Sequence, residues 1–274
     1  MGAAGGNFEE LVDIMARLRA DGGCPWDREQ SHKTLKRYLL EEAYETLEAI
    51  DAGDDEALCS ELGDVLLQVV FHAQIAGETG RFTVDDICRA IVDKLIRRHP
   101  HVFSDVEVDD ADHVVTNWER IKRAERSAGG RTPSALDGVP ADFPALLRAQ
   151  RIQEKASRVG FDWEDISGPL GKVREELSEF EQAMRSRQLG SEEAGPASAE
   201  LEEEFGDLLF VLVNAARFLK LTPEDALRGA VSKFERRFRR VEITFAERGV
   251  ELQSASLEEM DRVWEKIKKA EKEE

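Results

Sequence analysis

Residues 61–70 read ELGDVLLQVV, and residues 204–213 read EFGDLLFVLV. In both stretches a glutamate and an aspartate three residues apart lead into an almost unbroken apolar run, which is typical of a helix buried over much of its circumference. A carboxylate on such a helix is costly unless it is paired or bound to a metal, so we expect Asp64 and Asp207 to point inward. Because the whole pattern occurs twice, it indicates an internal duplication.

Four further elements recur around this stretch in the same order. The pairs are CPWD (24–27) with GFDW (160–163), LEEAYE (40–45) with REELSE (174–179), DKLIRR (93–98) with SKFERR (232–237), and NWERIK (117–122) with VWEKIK (263–268). Gly and Pro collect between the two sets, as they do in connecting loops. We therefore predict a first module at 1–126, a linker at 127–145 and a second module at 146–274.

The segments between these motifs have helical periodicity. Near the N-terminus, apolar side chains recur at steps of three and four residues, at Phe8, Leu11, Ile14, Met15 and Leu18. Residues 85–95 and 223–238 follow the same pattern, and no stretch alternates as a strand does. The sequence therefore predicts an all-α fold, built from two tandem helical-bundle modules.

The composition limits the classes of partner. The 274 residues carry a formal net charge of -19, so the overall field repels nucleic acid and anionic membranes. An anionic substrate would need divalent cations and a local cluster of Lys or Arg. No apolar run is long enough to span a bilayer, the first ten residues lack the basic and apolar regions typical of a leader peptide, and three cysteines without a CxxC pair favour a reducing compartment. We expect a cytoplasmic protein that binds neither nucleic acid nor membrane.

Each module offers four carboxylates at helical spacing. Residues three apart share a helix face, and two such helices packed antiparallel would bring their acids to one site. The sets are Glu42, Glu45, Glu61 and Asp64 in the first module, and Glu176, Glu179, Glu204 and Asp207 in the second. Mg2+ and Mn2+ favour all-oxygen ligands of this kind. A solvated acidic surface and buried salt bridges to arginines are the alternatives, whereas a di-iron site is disfavoured because the acidic helices lack Glu-x-x-His motifs.

A basic cluster follows each acidic set. Lys94, Arg97 and Arg98, and likewise Lys233, Arg236 and Arg237, have the spacing that gathers cations on one helix face. Such a group of donors suits phosphate, although a basic patch that balances an acidic surface is the alternative. The tryptophans that come later in each module, Trp118 and Trp264, either stack on a base or belong to the core.

The ordered combination of EExxE, ExxD, KxxRR and a late tryptophan, present twice, closely resembles the MazG family of nucleoside triphosphate pyrophosphohydrolases. The acidic motif alone is shared with dimeric dUTPases and with the histidine-pathway pyrophosphohydrolase. The resemblance implies a Mg2+-dependent enzyme that hydrolyses nucleoside triphosphates, ATP among them, to a monophosphate and pyrophosphate with broad base tolerance. It also implies a homodimer of intertwined helical modules and a role in nucleotide-pool clearance or stress-nucleotide modulation.

The resemblance assigns roles to individual residues, chiefly in the second module. It places metal ligands at Glu176, Glu179, Glu204 and Asp207. It places nucleotide contacts at Lys172, Val173, Arg174, Glu175, Glu176, Glu200, Leu201, Glu202, Glu203, Asp207, Asn214, Lys233, Phe234, Glu235, Arg236, Arg237 and Trp264, with Lys94, Arg97 and Arg98 as first-module counterparts. Phe71 stands in the first module where the second has Asn214, which favours the second module as the main catalytic one. Asn214 has an alternative role, a buried amide satisfied by neighbouring backbone.

In the expected mechanism, metal held by the carboxylates polarises the triphosphate and activates a water for attack on phosphorus. Glu175 or Glu203 accepts the proton, and together with Glu176 these residues form the predicted catalytic group. The basic cluster stabilises the departing pyrophosphate. Two alternatives stay open: a non-catalytic regulator that binds nucleotides or a protein, and a pyrophosphohydrolase restricted to one particular or damaged triphosphate.

Overall fold

The computed structural model describes residues 3–104, 106, 110, 114, 117, 118, 121, 134–190 and 199–273. Within these residues every regular element is a helix and no strand occurs, so the predicted all-α fold is confirmed. The chain divides into two compact units, Met1–Lys122 and Arg123–Glu274. The limits of the linker stay a prediction, because residues 127–133 lie outside the described part.

The first unit has six helices within residues 3–104. They are α1 (Ala3–Arg19), α2 (Pro25–Glu29), α3 (Lys36–Ala52), α4 (Asp55–Gly77), α5 (Val84–Arg98) and α6 (Pro100–Phe103). Between α3 and α4 the chain reverses at Gly53, whose φ of 67° lies in the left-handed region. Asp54 then caps α4 by accepting hydrogen bonds from the backbone N–H groups of Glu56 and Ala57. This tight connection lets α3 and α4 pack together as a hairpin.

The core of the first unit lies where α1 packs on α4. Its buried side chains are Met15, Leu35, Val70, Phe71 and Ile75. The predicted apolar positions Phe8, Leu11 and Leu18 pack around this core, whereas Ile14 is 44% exposed. Because α4 supplies three of these buried residues, the core fixes the side of α4 that faces the interior, and with it the direction in which its acids point.

The second unit repeats the hairpin. Its elements are α7 (Ala145–Ser157), α8 (Ser167–Gly190), α9 (Ala199–Phe218), α10 (Pro223–Glu247), a 3-10 turn (Leu252–Ser254) and α11 (Leu257–Glu273). Helix α8 packs along α9, α7 packs on α9, and α10 packs on α11. Buried side chains of α10 and α11 form a core cluster, made of Val241, Phe245, Val263 and Ile267. Thr222 directly precedes α10, and its side chain makes no capping hydrogen bond.

The central helices are less enclosed than their apolar runs predict. On α4, Leu62 is 51% exposed, and on α9 Phe205 is 49% and Leu212 is 45% exposed. Helix α5 has no buried residue, although it carries the apolar side chains of Ile91, Val92, Leu95 and Ile96. The expectation of helices buried over most of their circumference is therefore wrong within each unit, because the partner helices cover only one side of α4 and of α9.

Candidate active site

Three carboxylates of the second unit converge between α8 and α9. Glu176 and Glu179 lie one turn apart on α8, and Glu204 lies on α9 opposite them. One oxygen from each lies within 4.8 Å of the others. The i, i+3 spacing on α8 and the packing of the two helices together produce this arrangement.

Glu176 is the most enclosed member of this group. Its side chain is only 7% exposed to solvent, and its carboxylate accepts a hydrogen bond from Lys172 Nζ at 2.7 Å. The same ammonium group lies 2.9 Å from Glu175 Oε1, and these two carboxylates raise the pKa of Lys172. Lys172 therefore neutralises part of the cluster, while Glu179 and Glu204 have no ion-pair partner in the part of the chain that the structure describes.

The raised pKa of Glu204 indicates that the negative charge of the cluster exceeds the positive charge around it. Partial burial raises the pKa of Glu204, and the negative charges of Glu179, Glu176, Asp207 and Glu203 raise it further. Carboxylates held together in this way repel one another unless protons or a cation intervene. A divalent cation fits this donor set, because it consists of oxygen ligands and carries excess negative charge.

The first unit repeats the arrangement on α3 and α4. Oxygens of Glu42, Glu45 and Glu61 lie within 4.8 Å of one another. Burial and then the charge of Asp64 raise the pKa of Glu42, while burial and the charge of Glu45 raise that of Glu61. The position that matches Lys172 holds Tyr38, so this cluster lacks the neighbouring ammonium group of the second unit.

The fourth carboxylate of each predicted set is less closely associated. Asp207 is exposed, so the expectation that it points inward is wrong, whereas Asp64 is half-buried. Neither belongs to the groups within 4.8 Å, yet each lies near enough for its charge to raise the pKa of a member. An aspartate side chain is one methylene shorter than that of glutamate, so its carboxylate oxygens reach less far from the helix.

The basic residues of the second unit bind a carboxylate of their own unit. Arg237 Nε donates to Glu271 Oε2 at 2.7 Å, and Arg236 Nε lies 3.6 Å from Glu271 Oε1. Lys233 is exposed. Sequence reasoning missed Glu271, although its place one turn after Ile267 on the buried face of α11 aims it at α10. The predicted phosphate donors thus lie on one face of α10, but two of them, Arg236 and Arg237, are already paired with Glu271.

Trp264 and Asn214 both have structural contacts. The Trp264 ring lies 5.3 Å from that of Phe234, and the Arg237 guanidinium lies 5.8 Å from its centre. The buried Asn214 accepts hydrogen bonds from Arg217 at 2.8 and 3.0 Å. These contacts favour core packing for Trp264 and a satisfied buried amide for Asn214, with a side-chain partner rather than a backbone one.

The other predicted contacts lie on the surface around the cluster. Glu200, Glu202 and Glu203 are exposed at the start of α9, and Arg174, Phe234 and Glu235 are exposed on α8 and α10. Val173 and Leu201 are half-buried. In the first unit, Lys94 and Arg97 are exposed and Arg98 is half-buried at the end of α5, and Trp118 contacts His99 edge-on at 5.0 Å.

Two segments of the chain match the same protein family. Residues 30–103 and 170–241 each match the MazG nucleotide pyrophosphohydrolase domain, and together they make up more than half of the chain. The chain belongs to the MazG family. The family and the duplication inferred from the repeated motifs are therefore confirmed.

Three relatives match over nearly the whole of this chain. The MazG protein of Thermotoga maritima, named a nucleoside triphosphate pyrophosphohydrolase/pyrophosphatase, is 49% identical over 268 residues, which cover 98% of each chain. The nucleoside triphosphate pyrophosphohydrolase of Escherichia coli K12 is 48% identical over 265 residues, 96% of this chain and 98% of the relative. An uncharacterized Bacillus subtilis protein, YabN, is 48% identical across 97% of this chain and 52% of its own length.

The two segments that match the MazG domain contain most of the candidate site residues described above. They contain both acidic clusters and both basic clusters, whereas Trp264 and Glu271 lie beyond the second segment. The tryptophan and the carboxylate that hold Arg237 thus come from the helix that follows the MazG domain.

Proposed function

We propose that the second unit is the main catalytic centre of a nucleoside triphosphate pyrophosphohydrolase, which releases a monophosphate and pyrophosphate. The enzyme class predicted from the sequence is confirmed by MazG membership and by near-full-length relatives named for this activity. The observation that supports the place of catalysis is the group of Glu176, Glu179 and Glu204, which carries excess negative charge and has the buried Glu176 as a member.

The cofactor that we propose is Mg2+, which Mn2+ can replace. Glu176, Glu179 and Glu204 would hold it directly, with Asp207 as the fourth carboxylate at the edge of the group. When bound, the cation supplies Lewis-acid polarisation of a phosphoryl oxygen and neutralises developing negative charge. The all-oxygen donor set and the raised pKa of Glu204 both support a hard divalent ion at this position.

The protein's own groups would orient the water and the phosphates. Glu203 is exposed at the rim of the cluster and can take the proton of the attacking water, whereas Glu175 is already paired with Lys172. Lys172 sits where it can exchange Glu175 for a phosphate oxygen. Lys233 with Arg236 and Arg237 would bind the departing pyrophosphate after the two arginines release Glu271.

The first unit has the same three-carboxylate group but differs in two neighbours. Tyr38 replaces Lys172, and Phe71 replaces Asn214. The first cluster therefore lacks the ammonium group that would assist phosphate binding. We propose that it contributes less turnover than the second, or none.

We also propose that the protein is a cytoplasmic homodimer with broad base tolerance. The exposed apolar side chains of α4, α5, α9 and α10 support association, since a second chain would cover them. None of the helices in the described ranges combines the length and the apolar character that crossing a bilayer requires. The packing of Trp264 against Phe234 of its own unit supports base tolerance, because this ring then makes no contact specific to one base.

The test compares Glu176→Gln with its first-unit counterpart, Glu42→Gln. Pyrophosphate release from ATP with Mg2+ is measured for both, and circular dichroism checks that both remain helical. We expect Glu176→Gln to lose turnover by roughly a hundred-fold or more, because a buried ligand charge is removed, while Glu42→Gln keeps most of it. Equal activity of Glu176→Gln and wild type would reject the assignment, and a wild type that binds ATP without releasing pyrophosphate would indicate the regulator. A panel of common and damaged triphosphates tests base tolerance.

A further inference from the structure

Two histidines of the first unit are in direct contact. His32 belongs to the turn between α2 and α3, and His72 lies on α4. Their Nδ1 atoms are 2.7 Å apart, whereas the ring centroids are 5.0 Å apart and the ring planes differ by only 8°. The rings therefore meet through their edges, at the distance of a hydrogen bond. This contact joins the turn before α3 to α4.

A guanidinium group determines where the protons of this pair lie. Arg81 precedes α5, its Nη2 lies 2.9 Å from Nε2 of His32, and its Nε donates to Thr79 Oγ1 at 2.8 Å. Because a guanidinium can only donate, Nε2 of His32 accepts and the proton of this ring is on Nδ1. That Nδ1–H donates to Nδ1 of His72, which therefore has its own proton on Nε2. Both rings are neutral in this arrangement.

These hydrogen bonds leave no place for a further proton. A proton added to Nε2 of His32 would face the guanidinium of Arg81, with no acceptor between two positive groups. A proton added to Nδ1 of His72 would face the Nδ1–H of His32. His32 could accept from it only by moving its own proton to Nε2, which again confronts Arg81. Uptake of one proton therefore separates the rings or displaces Arg81.

The charges of the neighbouring elements do not offset such a proton. Neither imidazole forms an ion pair with a carboxylate of the described residues, and nor does Arg81. On the α1 side the nearby cation is Arg19, which is already paired with Glu78. Burial lowers the pKa of His72, and the charge that lowers it further is that of His32.

The second unit shows that the hairpin does not require the pair. All five histidines of the chain lie before residue 114, so the second unit has none. In the register that aligns Glu61 with Glu204, Ala215 stands in the place of His72. The same helical hairpin forms there without an imidazole. The pair therefore serves a purpose of the first unit other than formation of the hairpin.

We propose that His32, His72 and Arg81 form an acid-sensitive latch, which fastens the turn before α3 to α4 at neutral pH and opens when one imidazole takes up a proton. The latch goes beyond the proposed function, because it controls the order of the first unit and uses none of its carboxylates. Since the pKa of His72 lies below its usual value of 6.5, the stabilisation is complete above 6.5 and is lost as pH falls through the lowered pKa.

The first experiment observes the protons directly. The full chain is labelled with 15N-histidine, and 1H–15N spectra of the five imidazoles are recorded from pH 8 to pH 5, with assignment by single His→Gln variants. At pH 8 we expect opposite tautomers, Nδ1–H for His32 and Nε2–H for His72. His72 should gain its proton below pH 6.5. Identical tautomers in the two rings, or a His72 that titrates at or above 6.5, would overturn the proposal.

The second experiment tests whether proton uptake loosens the turn. Hydrogen exchange of the full chain is followed by mass spectrometry at pH 7.5 and pH 5.5, and each rate is divided by that of an unstructured chain at the same pH. In wild type, the protection of the segment from Ser31 to Lys36 should fall several-fold at pH 5.5. Peptides of the second unit, which has no histidine, should keep their protection. His99→Gln, which removes an exposed imidazole outside the latch, should respond as wild type does.

Two latch variants distinguish a switch from a structural contact. His72→Gln cannot take up the proton. Arg81→Met lets His32 move its proton to Nε2, so that the rings stay bonded when His72 is protonated. Both variants should lose the pH response of protection, even where their protection at pH 7.5 is lower than that of wild type. A response in either variant equal to that of wild type, or a wild type without a response, would overturn the proposal.

Discussion

Substitution of Trp264 by alanine tests whether this side chain belongs to the core or to the nucleotide site. The ring is half-buried on α11, 5.3 Å from the Phe234 ring and 5.8 Å from the Arg237 guanidinium. It packs against the core cluster between α10 and α11. Removing it should therefore destabilise the second unit.

The size of the expected loss of stability follows from these contacts. An aromatic pair contributes about 1 kcal/mol, and an exposed cation–π contact contributes about 0.5–1 kcal/mol. A fully buried Trp→Ala change costs about 3–5 kcal/mol, and the partial exposure of Trp264 lowers this range. We expect the free energy of unfolding of the second unit to fall by about 2–3 kcal/mol.

Urea denaturation followed by circular dichroism measures this loss. With a slope of about 2 kcal/mol per M, the midpoint of the second-unit transition should fall by about 1–1.5 M. Trp264→Phe is the matched control, because it keeps a ring against Phe234 and should lose about half as much. KM for ATP, measured on the folded variants, should change little.

The opposite pattern would refute this reasoning. A midpoint of Trp264→Ala within about 0.3 M of wild type, together with a large rise in KM for ATP, would mean that the ring stacks on the base and contributes little to the core.

The remaining predictions concern two carboxylates with arginine partners. Glu271→Gln should lower KM for ATP several-fold, because Arg236 and Arg237 lose the internal anion that competes with phosphate; steady-state kinetics that show an unchanged or higher KM would contradict this. Arg19 donates hydrogen bonds to Glu78 at 2.6 and 2.8 Å and holds the pKa of that carboxyl below its usual value of 4.5. The stabilisation is therefore present above that value and is lost as pH falls through the lowered pKa. Since Glu78 is 35% exposed, we expect Glu78→Gln to destabilise the first unit by about 1 kcal/mol at pH 7 and by less at pH 3; a difference in urea midpoint that is the same at both values would refute the pairing.

Much of the architecture was predictable because it depends on local patterns. The duplication was visible as repeated motifs, and the helices follow from apolar periodicity, which depends only on neighbours three and four residues away. The convergence of Glu176, Glu179 and Glu204 was also predictable, since two of the three lie one turn apart and the third lies near the start of the helix that packs on them.

Other features of the site depend on contacts distant in sequence. The pairing of Arg236 and Arg237 with Glu271 joins α10 to α11, and no spacing rule connects residues that far apart. The exposure of Asp207 was also not predictable, because the apolar run after it indicates burial without showing which side of the helix the neighbours cover.

The sequence by itself determined the helical class, the two repeats, the family and the eight acidic residues from which the two sites are formed. Each of these depends on residue types at short, regular spacings. The tertiary structure decided which of those acids meet, which cation neutralises Glu176, and which anion holds the arginines of α10. Those outcomes depend on the distances between side chains of different helices, which packing sets and which linear order does not contain.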